Sequence, residues 1–199
     1  MKKLMSVMLA VSVALSPAVA VAQQHSHSGH ATPYAGLETR AIKSLSDSDI
    51  EELRRGGGWG LALAAELNGM PGPAHLLELK DEIPLSPEQA AAIETIFQQM
   101  KADAISAGER LIAAEQAIED AFRAGSLEKD ELRRLIGEAE AARAELRYIH
   151  LSRHLETPPL LTSVQIERYK ILRGYGDDPC ASVPEGHDPA MWRLHNGCK

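Results

Sequence analysis

Aromatic side chains are scarce, at 4% of the chain: two Trp, two Phe and four Tyr among 199 residues. The apolar content comes from Ala and Leu instead. That argues against a β-sandwich, whose core wants β-branched and aromatic residues, and favours helix packed on helix. Cysteine is scarcer still, with only Cys180 and Cys198. Their spacing is not C-x-x-C, which excludes a thioredoxin-like redox centre. Positive charge is in deficit, and the formal net charge of −7 opposes a nucleic-acid partner, which needs a surplus of Lys and Arg. Catalytic signatures are missing as well. There is no G-x-S-x-G, and Gly56-Gly57-Gly58-Trp59-Gly60 lacks the Lys-Ser/Thr of a phosphate loop. That run reads as a hinge, and no enzymatic activity is expected.

Apolar runs long enough to span a membrane are absent from the mature chain. The start of the chain is a separate matter. Lys2 and Lys3 precede a nearly continuous apolar stretch from Leu4 to Leu15, and Ala20-Val21-Ala22 has the A-x-A form of a cleavage site. Residues 1–22 therefore read as a secretory signal peptide. Their removal leaves 177 residues with a formal charge of −9. The expected setting is the periplasm, where Cys180 and Cys198 should form one disulfide around the 17 residues between them.

Four regions follow: the signal peptide (1–22), a His-containing disordered leader (23–45), a helical-hairpin domain (46–175) and a disulfide-stapled tail (176–199). The leader holds His25, His27 and His30 among Ser, Gly and Gln, with too little apolar surface to order itself. Ser46 can cap a short helix through Arg55, with Asp47 and Asp49 at its positive end. A second short helix is expected over Trp59–Asn68 and a third over Ala74–Glu82.

The strongest pattern begins at Pro87. Ile93, Phe97, Met100, Ala104, Ala107, Leu111, Ala114, Ile118 and Ala121 alternate steps of four and three, a helical stripe sustained to Phe122. Gly125 and Ser126 break it. Glu128–Glu156 forms a return helix with Leu132, Leu135, Ala139, Ala142, Leu146 and Ile149 on one stripe. At 1.5 Å per residue the two rods are about 55 Å and about 43 Å long. The short break makes them antiparallel, so the fold class is all-α: a long helical hairpin with short N-terminal helices and a C-terminal helix over Thr162–Arg173. Each rod leaves apolar surface open, which predicts a homodimer.

One pattern occurs twice. Leu85-Ser86-Pro87-Glu88-Gln89 opens the first rod and Leu161-Thr162-Ser163-Val164-Gln165 opens the last helix. Each is a capping box: the hydroxyl accepts from the N3 backbone N–H and the Gln reaches back to the cap N–H. Pro87 sits at N1, where its missing N–H costs nothing. Two such boxes flanking a long hairpin in an exported chain resemble the L-T-x-x-Q family of periplasmic proteins, which includes Spy, CpxP, the zinc-responsive ZraP and nickel/cobalt sensors of the CnrX type. The likeness covers residues 73–175, with Ser86 replacing Thr in the first copy. It implies a bent hairpin dimerised into a cradle that binds unfolded proteins without ATP, or binds metal and reports on envelope stress.

Metal ligands are sought among the histidines. His150 and His154 lie four apart and share one helix face. Such a pair can chelate a transition metal, or be two polar residues beside the seam. The Glu of a zinc-protease motif is absent. The resemblance implies further ligands from the segment before the first capping box, where this chain offers His75 and Glu78. His25, His27 and His30 suit loose binding by a flexible tract, and His187 and His195 lie within the Cys-bounded loop. No cofactor is required; Zn, Ni, Co or Cu is the candidate ion. Two functions are therefore expected. One is an envelope-stress protein of the Spy/CpxP type, acting on unfolded periplasmic proteins or an inner-membrane sensor. The alternative is a periplasmic transition-metal sensor or resistance protein.

Overall fold

A computed structural model describes residues 32–196 and Cys198. The expected signal peptide (1–22) and the leader histidines His25, His27 and His30 lie outside the described residues. The chain divides into two units, Met1–Ala35 and Gly36–Lys199. Of the first, only residues 32–35 are described, as a turn in which the Ala35 N–H donates to the Thr32 carbonyl at 3.0 Å. Among the described residues there are seven α-helices and no strand. They are α1 (Asp47–Arg54), α2 (Leu63–Glu66), α3 (Pro73–Glu78), α4 (Pro87–Ala124), α5 (Lys129–Glu156), α6 (Ser163–Leu172) and α7 (Pro189–His195). No described helix is long and apolar enough to cross a membrane.

The hairpin forms as the stripes require. α4 starts at Ser86, whose Oγ accepts from the Gln89 N–H at 3.2 Å while Gln89 Oε1 accepts from the Ser86 N–H at 2.9 Å. It ends at Gly125, where φ is 74°; glycine enters that left-handed region without a steric penalty. α5 then returns antiparallel to α4: Arg143 reaches Glu115 at 3.3 Å and Arg153 reaches Asp103 at 2.9 Å. Ile93, Met100, Ala104, Ala107 and Leu111 are buried from α4, and Leu135, Ala139, Ala142, Leu146 and Ile149 from α5. The alanines let the two backbones approach. Full burial of a side chain such as Leu111 or Leu146 contributes about 1.5–3 kcal/mol.

The core has two parts. The first joins α4 and α5 to Leu53 of α1 and to Ile42 and Leu45 of the preceding segment. The second lies at the hairpin's root, where Leu76, Ile83, Ile93 and Tyr169 are fully buried and Leu85 and Leu161 pack against them.

The last ten residues of the expected 23–45 leader are not a tether. Leu37–Thr39 form a 3-10 turn, and Ile42 and Leu45 are buried in the first core. Lys43 Nζ meets Glu119 at 2.6 Å and the Ser44 hydroxyl donates to Glu115 at 2.8 Å. Two apolar side chains three apart suffice to dock this segment on the hairpin. The helix expected over Trp59–Asn68 shrinks to Leu63–Glu66 because Trp59 takes a positive φ of 45°. There its indole N–H donates to Asp49 at 2.9 Å, and Arg143 stacks 4.9 Å from its ring centre. The helix expected over Ala74–Glu82 stops at Glu78. The tail carries α7, capped by Asp188, which accepts from the Met191 N–H at 2.9 Å.

Candidate functional site

The two capping boxes meet in space. Thr162 repeats the Ser86 arrangement at the start of α6: its hydroxyl accepts from the Gln165 N–H at 3.3 Å, and Gln165 Oε1 accepts from the Thr162 N–H at 2.9 Å. The two Gln carboxamides then pair. Gln89 Nε2 donates to Gln165 Oε1 at 3.0 Å, and Gln165 Nε2 donates to Gln89 Oε1 at 2.9 Å. The remaining amide protons go to the Leu160 carbonyl at 2.7 Å and the Pro84 carbonyl at 2.8 Å. Four expected motif residues thus form one closed hydrogen-bond cluster that ties the first turn of α4 to the first turn of α6.

Between the two cores lies a cavity of about 480 Å3. The end of α1 supplies Glu52 and Arg55, and the run Gly56–Gly58 forms a wall rather than a free hinge. Glu66 comes from α2, His75 and Glu78 from α3, Phe97, Met100 and Lys101 from α4, and His150 and His154 from α5. The fold therefore gathers His75, Glu78, His150 and His154 around one space, though they come from helices far apart in the chain. Sequence reasoning did not single out Glu66, which lies 4.0 Å from His75 Nδ1, or Met100, which the α4 stripe marked only as core.

The two α5 imidazoles are held differently. His154 is 4% exposed, and its Nδ1 lies 2.9 Å from the Met70 carbonyl oxygen. A carbonyl only accepts, so Nδ1 carries a proton, and Nε2 is the nitrogen that presents a lone pair in the neutral ring. Metal-ligating histidines are commonly oriented by such a bond on the other nitrogen. The ring lies against Gly72, where a Cβ would stand 2.5 Å from His154 Cε1; only glycine leaves the imidazole its room. His150 is 3% exposed, and its Nε2 is buried with no hydrogen-bond partner.

Electrostatics keep this space hospitable to neutral donors. Burial pushes the His150 imidazole below the ordinary value, with a charge on His154 adding to the effect and the neighbouring Gly57 backbone opposing it. Burial also lowers His75, helped by Arg173 and opposed by Glu66 and Glu78. Neutral imidazole is the form that ligates metal. Behind the cavity, Tyr169 is wholly buried with its hydroxyl unpartnered, and burial raises it to about 12.

The residues present fit a transition ion in donor type and in the orphaned His150 Nε2. Among the described residues, however, no three His, Cys, Asp or Glu side chains stand together as a ready set of ligands. His187 and His195 do not line this cavity; His187 packs edge-on against Trp192 of the tail at 4.8 Å. Cys180 and Cys198 form a disulfide with Cα atoms 5.5 Å apart, and the Trp192 indole donates to the Pro179 carbonyl at 2.7 Å inside that loop. No protein-family model, no curated protein and no solved structure matches this chain.

Proposed function

We propose that this chain is an exported, periplasmic transition-metal-binding protein that holds its ion at the root of a helical hairpin. The observation that carries the reading is the shared cavity of His75, His150 and His154, with His154 oriented by the Met70 carbonyl and His150 Nε2 buried without a partner. The resemblance of the paired capping boxes to the L-T-x-x-Q family supports it. Export is supported by the signal-peptide pattern of residues 1–22 and by the disulfide, which persists in oxidising compartments. Calorimetric titration of residues 23–199 with Zn, Ni, Co and Cu tests the reading. His25, His27 and His30 are replaced by Ala so that the leader does not bind. One ion per chain is expected, and His150→Ala/His154→Ala should abolish it. Unchanged binding in that variant removes the reading.

A second reading, an envelope-stress protein of the Spy/CpxP type, is favoured by a different observation. Phe122, Ile136, Tyr148 and Leu155 are exposed on the hairpin, and a groove between α4 and α5 is lined by Ala113, Ala114, Ala117 and Ala141 with Arg110 and Glu138 beside it. Mixed surfaces of this kind suit weak binding of exposed apolar segments, an inner-membrane sensor, or a second copy of the hairpin in a homodimer. Purified mature chain should then suppress aggregation of a denatured client and sediment as a dimer. A monomer with no effect at stoichiometric excess removes this reading.

A further inference from the structure

We infer, on the strength of the metal-binding reading, that the ion is monovalent copper and that Met100 contributes its thioether beside His150 and His154. Three methionines lie outside residues 1–22, and Met100 is the one that lines this cavity. It is 7% exposed, on the helix that faces both histidines. The register brings it there: Arg153 meets Asp103 across the antiparallel pair, so Met100, three residues before Asp103, lies near the level of His154, with His150 one turn further along α5.

The chemistry of the donors selects the ion. Thioether sulfur is soft and favours Cu(I), whereas carboxylate, carbonyl and water suit hard cations. Zinc in a closed site takes four ligands in a tetrahedron. The described residues hold no ready trio of His, Cys, Asp or Glu. A d10 monovalent ion asks for fewer donors, and two imidazoles with one thioether meet that demand without a carboxylate. Glu52, Glu66 and Glu78 line the cavity opposite Arg55 and Lys101; Arg55 pairs with Glu52, and the remaining excess of negative charge favours a cation of low charge. Methionine is also a good gap-filler in irregular cores, so a purely packing role for Met100 is the alternative that the experiment must separate.

The test uses mature chain carrying Ala at positions 25, 27 and 30, under reductant, with Cu(I) presented as its bathocuproine disulfonate complex. The chain should withdraw one Cu(I) from the dye. Met100→Leu conserves volume and should keep the helical circular dichroism. It should weaken Cu(I) binding by at least the roughly tenfold that loss of even an outer-shell partner costs, while leaving Zn(II) and Ni(II) titrations unchanged. X-ray absorption of the Cu(I) form of the unsubstituted chain gives a second readout: a sulfur shell is expected, and a shell of nitrogen and oxygen alone overturns the assignment. Equal Cu(I) affinity in Met100→Leu overturns it as well. If Zn(II) or Ni(II) binding needs His150 and His154 but Cu(I) binding does not, the copper inference fails and the metal reading stands. If no ion responds to His150→Ala/His154→Ala, the metal reading itself fails.

Discussion

His154 depends on a neighbour that has no side chain. Gly72 has φ −103° and ψ 160°, a conformation that alanine adopts freely, so Gly72→Ala tests space alone. The added Cβ would stand 2.5 Å from Cε1 and 2.7 Å from Nε2 of the imidazole. The ring must shift, and the strain of overpacking is about 1–3 kcal/mol. Urea denaturation should register that loss, and metal titration a weakened site. The buried histidines also set a pH dependence. His75 and His150 titrate below their ordinary value of 6.5 in the folded chain, so below that pH the unfolded chain binds protons that the folded one refuses. Stability should therefore be intact above pH 6.5 and decline as the pH falls toward the folded values. His150→Gln should flatten the decline in denaturation midpoints; an unaltered slope would assign it to other groups. At this scale the sequence was partly legible. The spacing of His150 and His154 announced a shared face, because helix periodicity is local. Glu66 and Met100 were not legible as site residues, because their relation to the histidines exists only after α2 and α4 have packed.

Among the elements, the capping boxes were the most readable feature, since hydroxyl, cap N–H and Gln lie within four residues of one another. Their pairing was not, because Gln89 and Gln165 are 76 positions apart. Gln165 is 8% exposed, and replacing it with Ala strands the Thr162 N–H, the Pro84 carbonyl and the Gln89 carboxamide. Unsatisfied buried groups cost about 1–3 kcal/mol each, with partial relief from water at this edge. Gln165→Ala should thus lower stability by about 2 kcal/mol in urea denaturation. Adding Gln89→Ala should cost less than its effect alone, since the pair acts as a unit. Strict additivity would show that the two boxes work separately. Helix limits failed where side chains found better partners than the helix offered. Trp59 left α2 for Asp49 and Arg143, a choice no local propensity records.

For the whole molecule, the long stripes made the hairpin legible from spacing alone, while the docking of residues 36–45 was hidden by the polar His-containing stretch that precedes them, although Leu37, Ile42 and Leu45 stand among them. The C-terminal loop stands apart energetically. None of the described residues after Tyr169 is buried, so the disulfide constrains the tail and not the cores. Closing 17 residues is worth about 3 kcal/mol in the loop-entropy account, and that order should be confined to α7. Cys180→Ser/Cys198→Ser is expected to raise amide exchange over 189–195 and to leave the global denaturation midpoint unchanged. A large fall in the midpoint would mean the tail supports the hairpin. The paired carboxamides have a mechanical meaning as well. They clamp α4 at its first turn, and Lys43 and Ser44 brace the same rod at Glu119 and Glu115. A beam held at both places does not rock as a lever. From Gln89 to Glu119 the supported span is about 45 Å, and among the described residues only the last stretch beyond it, about 8 Å, rests on the return helix alone.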